Sequence, residues 1–139
     1  MIILDTNILS ETLRPVPEIK VLDWLEAQPR AAVFTSSVTR AELLYGARLL
    51  PEGQRKVALL QAIGAIFGTD LAGQVLPFDD DAADAYAQIA ATRRAAGKPI
   101  SQLDAMIAAI ARSRGAGLAT RNVKDFSDCG IDLIDPWNL

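Results

Sequence analysis

Met1-Ile2-Ile3-Leu4-Asp5-Thr6-Asn7 is the stretch that sets the architecture. Ile2-Ile3-Leu4 is too short for a helix and carries no polar face. Asp5-Thr6-Asn7 closes the run with residues that favour turns and helix starts. A strand with no polar face is buried on both sides, as in parallel sheets sandwiched between helices.

The same alternation recurs downstream. Ala32 to Thr35, Val75-Leu76, Leu118-Ala119-Thr120 and Asp132-Leu133-Ile134 read as further short strands. A helix is expected from Thr6 to about Leu13, stopped by Arg14-Pro15-Val16-Pro17, and another from Glu18 to Ala27, with Val21, Leu22 and Leu25 at helical spacing. After a turn at Ser36-Ser37, helices are expected from Val38 to Leu50 and from Glu52 to about Phe67. Two more run from Asp79 to Ala96, stopped by Gly97, and from Ser101 to Gly115; a helical turn spans Val123 to Phe126. Short strands alternating with helices predict a three-layer α/β/α domain around a mostly parallel sheet of about five strands. The 139 residues fit one domain, 1–139, which buries roughly two-thirds of the surface its unfolded chain exposes.

Composition excludes several chemistries. There is no histidine, which removes Ser-His-Asp and Cys-His machinery, His-ligated zinc and the usual acid–base pair of metal-free ribonucleases. A single cysteine, Cys129, can form neither an intrachain disulfide nor a multi-cysteine zinc site. Neither standard glycine-rich phosphate loop is present. The net charge of −3 has the wrong sign for gripping nucleic acid by charge alone, so an acidic protein acting on RNA needs cations at its site. The longest apolar run, Ala105 to Ala111, is seven residues, against about 20 for a membrane span. The start lacks a basic segment and Asp5 interrupts its apolar run, so no secretory signal is expected and the protein is placed in the cytoplasm, away from membranes.

In open α/β sheets, ligands bind beyond the carboxyl ends of the strands. The polar residues there are Asp5-Thr6-Asn7, Thr35-Ser36-Ser37 leading to Glu42, and Thr120-Arg121-Asn122 leading to Asp125. Asp104 lies in the first turn of the helix before the fourth strand, at the shoulder of a core stripe formed by Leu103, Met106, Ile107 and Ile110. Each of these acids also has a structural reading. Asp5 can cap the helix that begins near Thr6. Thr39-x-x-Glu42, Ser101-x-x-Asp104 and Asn122-x-x-Asp125 all have capping-box spacing.

The case for a shared site is collective. Carboxylates converging at one end of a sheet repel one another, and a divalent cation removes that penalty. Magnesium takes hard oxygen ligands and keeps positions for water and phosphate, a route to hydrolysis that needs no histidine. The remaining charges read as structural: Asp79-Asp80-Asp81 with Asp84 as an acidic first helical turn, and Arg93-Arg94 and Arg112-x-Arg114 as solvated cations near helix C-termini. Tyr45 and Tyr86 read as core or interface residues, and the scattered aromatics make no base-stacking platform.

Ile3-Leu4-Asp5-Thr6-Asn7-Ile8 resembles the opening signature of PIN domains. Further motifs follow in order: Thr39-Arg40-Ala41-Glu42-Leu43 with Gly46, Leu76-Pro77-Phe78-Asp79 with Tyr86-Ala87-Gln88-Ile89, Asp104-Ala105-Met106-Ile107, Ala119-Thr120-Arg121-Asn122 with Asp125-Phe126, and Asp135-Pro136-Trp137. The resemblance covers nearly the whole chain and is closest to VapC-type toxins of the FitB-like kind. It implies an endoribonuclease in which Asp5, Glu42, Asp104 and Asp125 hold Mg²⁺, or Mn²⁺, and metal-activated water attacks the phosphodiester. Some relatives carry the fourth acid at the position of Asn122, so the resemblance leaves that ligand open between the two sites. Thr6, Asn7 and Thr120 would orient carboxylates or water, and Arg121 would meet phosphate. The resemblance also implies a homodimer silenced by a cognate antitoxin whose C-terminal segment fills the acidic groove. Operator DNA would be bound only through the antitoxin. Two rivals stand beside it. Aspartyl phosphotransfer of the haloacid-dehalogenase type would use Asp5 as nucleophile but wants a second Asp where Asn7 stands. An inactive binding module would use its acids only as caps.

Overall fold

The computed structural model describes residues 1–139. Its strands are β1 (Ile2–Leu4), β2 (Val33–Ser36), β3 (Val75–Leu76), β4 (Gly117–Ala119) and β5 (Leu133–Ile134). They form one sheet in the order β3-β2-β1-β4-β5, and every pair is parallel. The helices are α1 (Thr6–Thr12), α2 (Ile19–Ala27), α3 (Ser37–Arg48), α4 (Gln54–Ala65), α5 (Asp80–Ala95) and α6 (Gln102–Ser113). The sequence placed all of these elements. Ala32 differs: it ends a 3-10 turn, Arg30–Ala32, ahead of β2. So does the end of α4, where the expected helix continues past Ala65 as a π-turn, Ile66–Asp70.

Alternation along β1 makes the three layers. Ile3 faces a core built with Ile89 of α5, Ile107 and Ile110 of α6, and Leu118 of β4. Leu4 faces the opposite core, with Ile8 and Leu9 of α1, Val21 of α2, Leu43 of α3 and Ile63 of α4. Ile3, Ile89, Ile107 and Ile110 are fully buried, and each such side chain contributes roughly 1.5–3 kcal/mol through loss of apolar surface to water. Helix starts are capped locally. Asp79 accepts the Ala82 N–H at 3.0 Å, with Asp80 and Asp81 filling the first turn of α5, so the acidic run is a helix-start device. Ser101 accepts the Asp104 N–H at the start of α6. Gly97 and Gly115 follow α5 and α6 in the left-handed region, at φ of +73° and +62°, where a Cβ would be strained.

Chain order decides where a ligand belongs. From β1 the chain adds β2 and β3 on one side, then returns to place β4 on the other. Next to β1 the strand order reverses, and helices following adjacent strands diverge there to leave a crevice. The carboxyl ends of β1 and β4 carry Asp5 and Thr120.

Candidate active site

Asp5 is the first residue after β1, and its backbone N–H extends the sheet by donating to the Ala119 carbonyl at 2.9 Å. Its carboxylate is 5% exposed. One oxygen, Oδ1, accepts the Thr6 N–H at 2.8 Å and so caps α1; the other, Oδ2, accepts the Thr120 hydroxyl at 2.7 Å. The capping reading of Asp5 and the site reading therefore hold together. Thr120 Oγ1 in turn accepts the Asn122 N–H at 3.0 Å and the Asn7 amide at 3.4 Å. Asn7 Oδ1 accepts the Arg121 N–H, locking the segment after β4 onto the first turn of α1.

Glu42 reaches the same place from α3. The expected capping box at Thr39 is not formed, because α3 begins earlier and its cap is Ser36, whose hydroxyl accepts the Thr39 N–H at 3.1 Å. Glu42 then falls in the second turn, too far along the helix to cap it. Instead, its carboxylate accepts the Thr6 hydroxyl at 2.8 Å, and that hydroxyl also lies 3.1 Å from Thr39 Oγ1. At α6 the expected cap is formed, and because it uses the backbone N–H of Asp104, the carboxylate remains available. Asn122 makes no side-chain cap bond, which leaves its amide uncommitted at the turn Val123–Phe126.

These groups line one open, polar cleft of about 390 Å³, with Asp5, Glu42, Asp104, Thr6, Asn7, Arg121 and Asn122 in its wall. Thr120 is fully buried and holds Asp5. Asp125 stands outside this wall and is exposed, its backbone carbonyl accepting from Arg93. Its charge is nonetheless felt at Asp104. The wall also contains Ser10, Glu11, Arg14 and Trp137, to which the sequence reading assigned no site role. A helical repeat from Asn7 puts Ser10 and Glu11 on one stripe, and that spacing was a usable signal; Arg14 follows from the loop after α1.

Electrostatics follow from burial and crowding. Burial pushes the Asp5 carboxyl up to about 6, against the Thr120 and Thr6 hydrogen bonds, while the charges of Asp104 and Glu42 push it further the same way. Burial also raises Asp104; the Ser101 hydroxyl opposes it, Asp125 adds to it and the Arg93 guanidinium lowers it. Arg93 is a correction to the sequence reading. It is 5% exposed rather than solvated, and donates to the carbonyls of Lys98, Asp125 and Ser127 at 2.7, 2.9 and 2.9 Å. A guanidinium shut inside the fold stays charged, and carbonyls plus nearby acids replace its water. Of the two tyrosines read as core or interface, Tyr45 is exposed and so outside the core, whereas Tyr86 packs edge-on against Phe78.

The donor set is all oxygen and amide, with neither imidazole nor thiolate, which suits a hard cation of the magnesium or manganese class rather than zinc. No three acidic side chains stand close enough to make a finished cage. An open set fits magnesium, which is held by one or two carboxylates and keeps most of its waters.

The PIN domain family model matches residues 2–130. The chain belongs to the PIN-domain family. Over 137 residues the PIN domain is 39% identical to the VapC ribonuclease Y4jK of Sinorhizobium fredii, covering 99% of this chain and 98% of that one. It is 38% identical to Toxin FitB of Neisseria gonorrhoeae over 138 residues, 99% of each. Its fold matches a chain in the structure of FitAB bound to an IR36 DNA fragment with a TM-score of 0.93 at 37% identity, covering 100% of this chain and 97% of that one. No helix of the PIN domain is long and apolar enough to cross a membrane.

Proposed function

We propose that this PIN domain is a ribonuclease of the VapC kind, the toxin of a toxin–antitoxin pair, and that it hydrolyses RNA phosphodiesters with Mg²⁺, or Mn²⁺, bound in the cleft of Asp5, Glu42 and Asp104 through one or two of these carboxylates and otherwise through water. The observation that carries the reading is the convergence of three carboxylates from β1, α3 and α6 on one cleft where two of them raise the pKa of the third. A bound divalent cation supplies nucleophilic water near neutral pH and neutralises phosphate charge. The chain's own groups do the rest. Thr120 and the Thr6 N–H fix both oxygens of Asp5, leaving the remaining lone pairs for a cation. Thr6 aims Glu42, Asn7 steadies Thr120 and so Asp5, and Asn122 presents its amide for water or phosphate. Asp125 acts on Asp104 through its charge from outside the wall.

Partner chemistry follows from the neighbouring surface. A groove of about 730 Å³ between α1, α3 and α4 shares Thr6, Ser10, Arg14 and Glu42 with the cleft and adds Leu13, Leu43, Leu59 and Ile63. An antitoxin segment with an apolar face fits there, and a cation at its end would reach the acids in place of metal. Operator binding belongs to that complex, and the toxin pairs as a homodimer. The test is cleavage of total RNA with Mg²⁺, with Mn²⁺ and with chelator, wild type against Asp104→Ala, with the new ends sequenced. Water attack on phosphorus with loss of the 3′ oxygen leaves 5′-phosphate and 3′-hydroxyl ends. Cyclic 2′,3′-phosphate ends, or cleavage undiminished by chelator, would overturn the reading.

A further inference from the structure

The cleft has four acids in its wall and only two cations, Arg14 and Arg121. A polyanion entering it is repelled unless those two are placed to receive it, and each has a side-chain partner, Glu11 for Arg14 and Trp137 for Arg121. Glu11 is 4% exposed, an unusual place for a carboxylate in a surface helix. Its Oε1 accepts Arg14 Nη1 at 3.4 Å and its Oε2 accepts the Glu18 backbone N–H at 3.1 Å. One buried side chain thus folds the loop after α1 back on itself and fixes the arginine that rises from it. Arg14 itself is 63% exposed, and only Nη1 is engaged, so Nε and Nη2 keep their donors uncommitted. On the β4 side, the Arg121 guanidinium lies 5.1 Å from the Trp137 ring centroid, and both line the cleft. The indole restricts the arginine without consuming its donors.

We propose that Arg14, held by Glu11, is a second backbone-phosphate subsite across the cleft from Arg121, whose phosphate contact the family resemblance already implies, and that the two grip RNA on phosphates flanking the scissile one. The inference rests on the ribonuclease reading above. A cation in the cleft meets only the scissile phosphate, so the flanking phosphates are met at the rim, and a guanidinium already steered by a partner loses less freedom on binding than a free one. Glu11 is a positioning residue that acts through Arg14.

Steady-state cleavage of a labelled single-stranded RNA in Mg²⁺, across a salt series, tests this. Arg14→Ala and Arg121→Ala should each raise KM about tenfold, as expected for loss of one charge-assisted phosphate contact, while kcat stays within about a factor of two. The slope of log kcat/KM against log salt should flatten by about 0.7 for each lost contact. Arg14→Lys should keep the slope while losing part of the KM, because a point charge replaces a fork. Glu11→Gln should raise KM in the same direction, and adding it to Arg14→Ala should change KM no further. If Glu11→Gln melts too low to assay, the exposed Arg14→Ala still decides. Should the wild type cleave RNA while Arg14→Ala and Arg121→Ala leave KM and slope unmoved, the subsites are refuted and the nuclease stands. Should the wild type cleave nothing with either metal, both readings fall.

Discussion

Replacing Asp5 with Asn should make the metal-free PIN domain more stable near neutral pH while ending cleavage. In the folded protein the Asp5 carboxyl ionises at about 6, against an ordinary 3.8. A raised folded pKa means that the protonated form is the one the fold favours. The stabilisation is complete below the ordinary value and disappears as pH rises through about 6. Keeping Asp5 ionised at neutral pH therefore costs on the order of 3 kcal/mol. Asn removes the charge but presents an NH2 group to either Thr6 or Thr120, which returns about 1 kcal/mol of the gain. The net gain is about 2 kcal/mol, or roughly 6 °C in Tm for a chain of this size. At about pH 4.5 the wild type recovers about 2 kcal/mol by protonation, so the two melting curves should nearly coincide. Thermal melting in chelator at both pH values, wild type beside Asp5→Asn, reads this directly. A variant several degrees less stable near neutral pH, or a gap indifferent to pH, would refute the reasoning and leave Asp5 as a helix cap that needs its charge.

Other outcomes follow from the same contacts. Thr120→Val removes the hydroxyl that donates to Asp5 Oδ2; the ionised carboxylate loses a partner, and the acid limb of the pH–rate profile should move to higher pH. Asp104→Ala should abolish cleavage with little change in Tm, because the cap of α6 uses the backbone of residue 104 and Ser101, which are kept. Arg93→Met strips the donors from three carbonyls and should lower stability by about 3 kcal/mol, seen as a fall of about 10 °C in Tm.

What sequence could reveal divides by range. β1 was legible because Ile2-Ile3-Leu4 has no polar face, and α5 because Asp79 and Gly97 bracket it with local cap chemistry. Parallel order around β1 followed from the alternation of short strands and helices. Glu42 was ambiguous because two hydroxyl residues, Ser36 and Thr39, compete to cap α3 and only the fold selects Ser36. Arg93 sits where helix-end cations are ordinarily solvated, and its burial depends on carbonyls 32 and 34 residues further along. Glu11 was passed over for a related reason: its partners lie in the proline-rich loop after α1, whose path no periodic pattern describes.

Asp5 and Thr120, joined by a 2.7 Å bond, are separated by 115 residues of chain. β1 is made first, and the neighbour that completes its ladder is made only after every helix has been synthesised. A partly translated copy thus lacks the threonine that orients its first acid, and the cleft cannot be completed until the last part of the chain has been made.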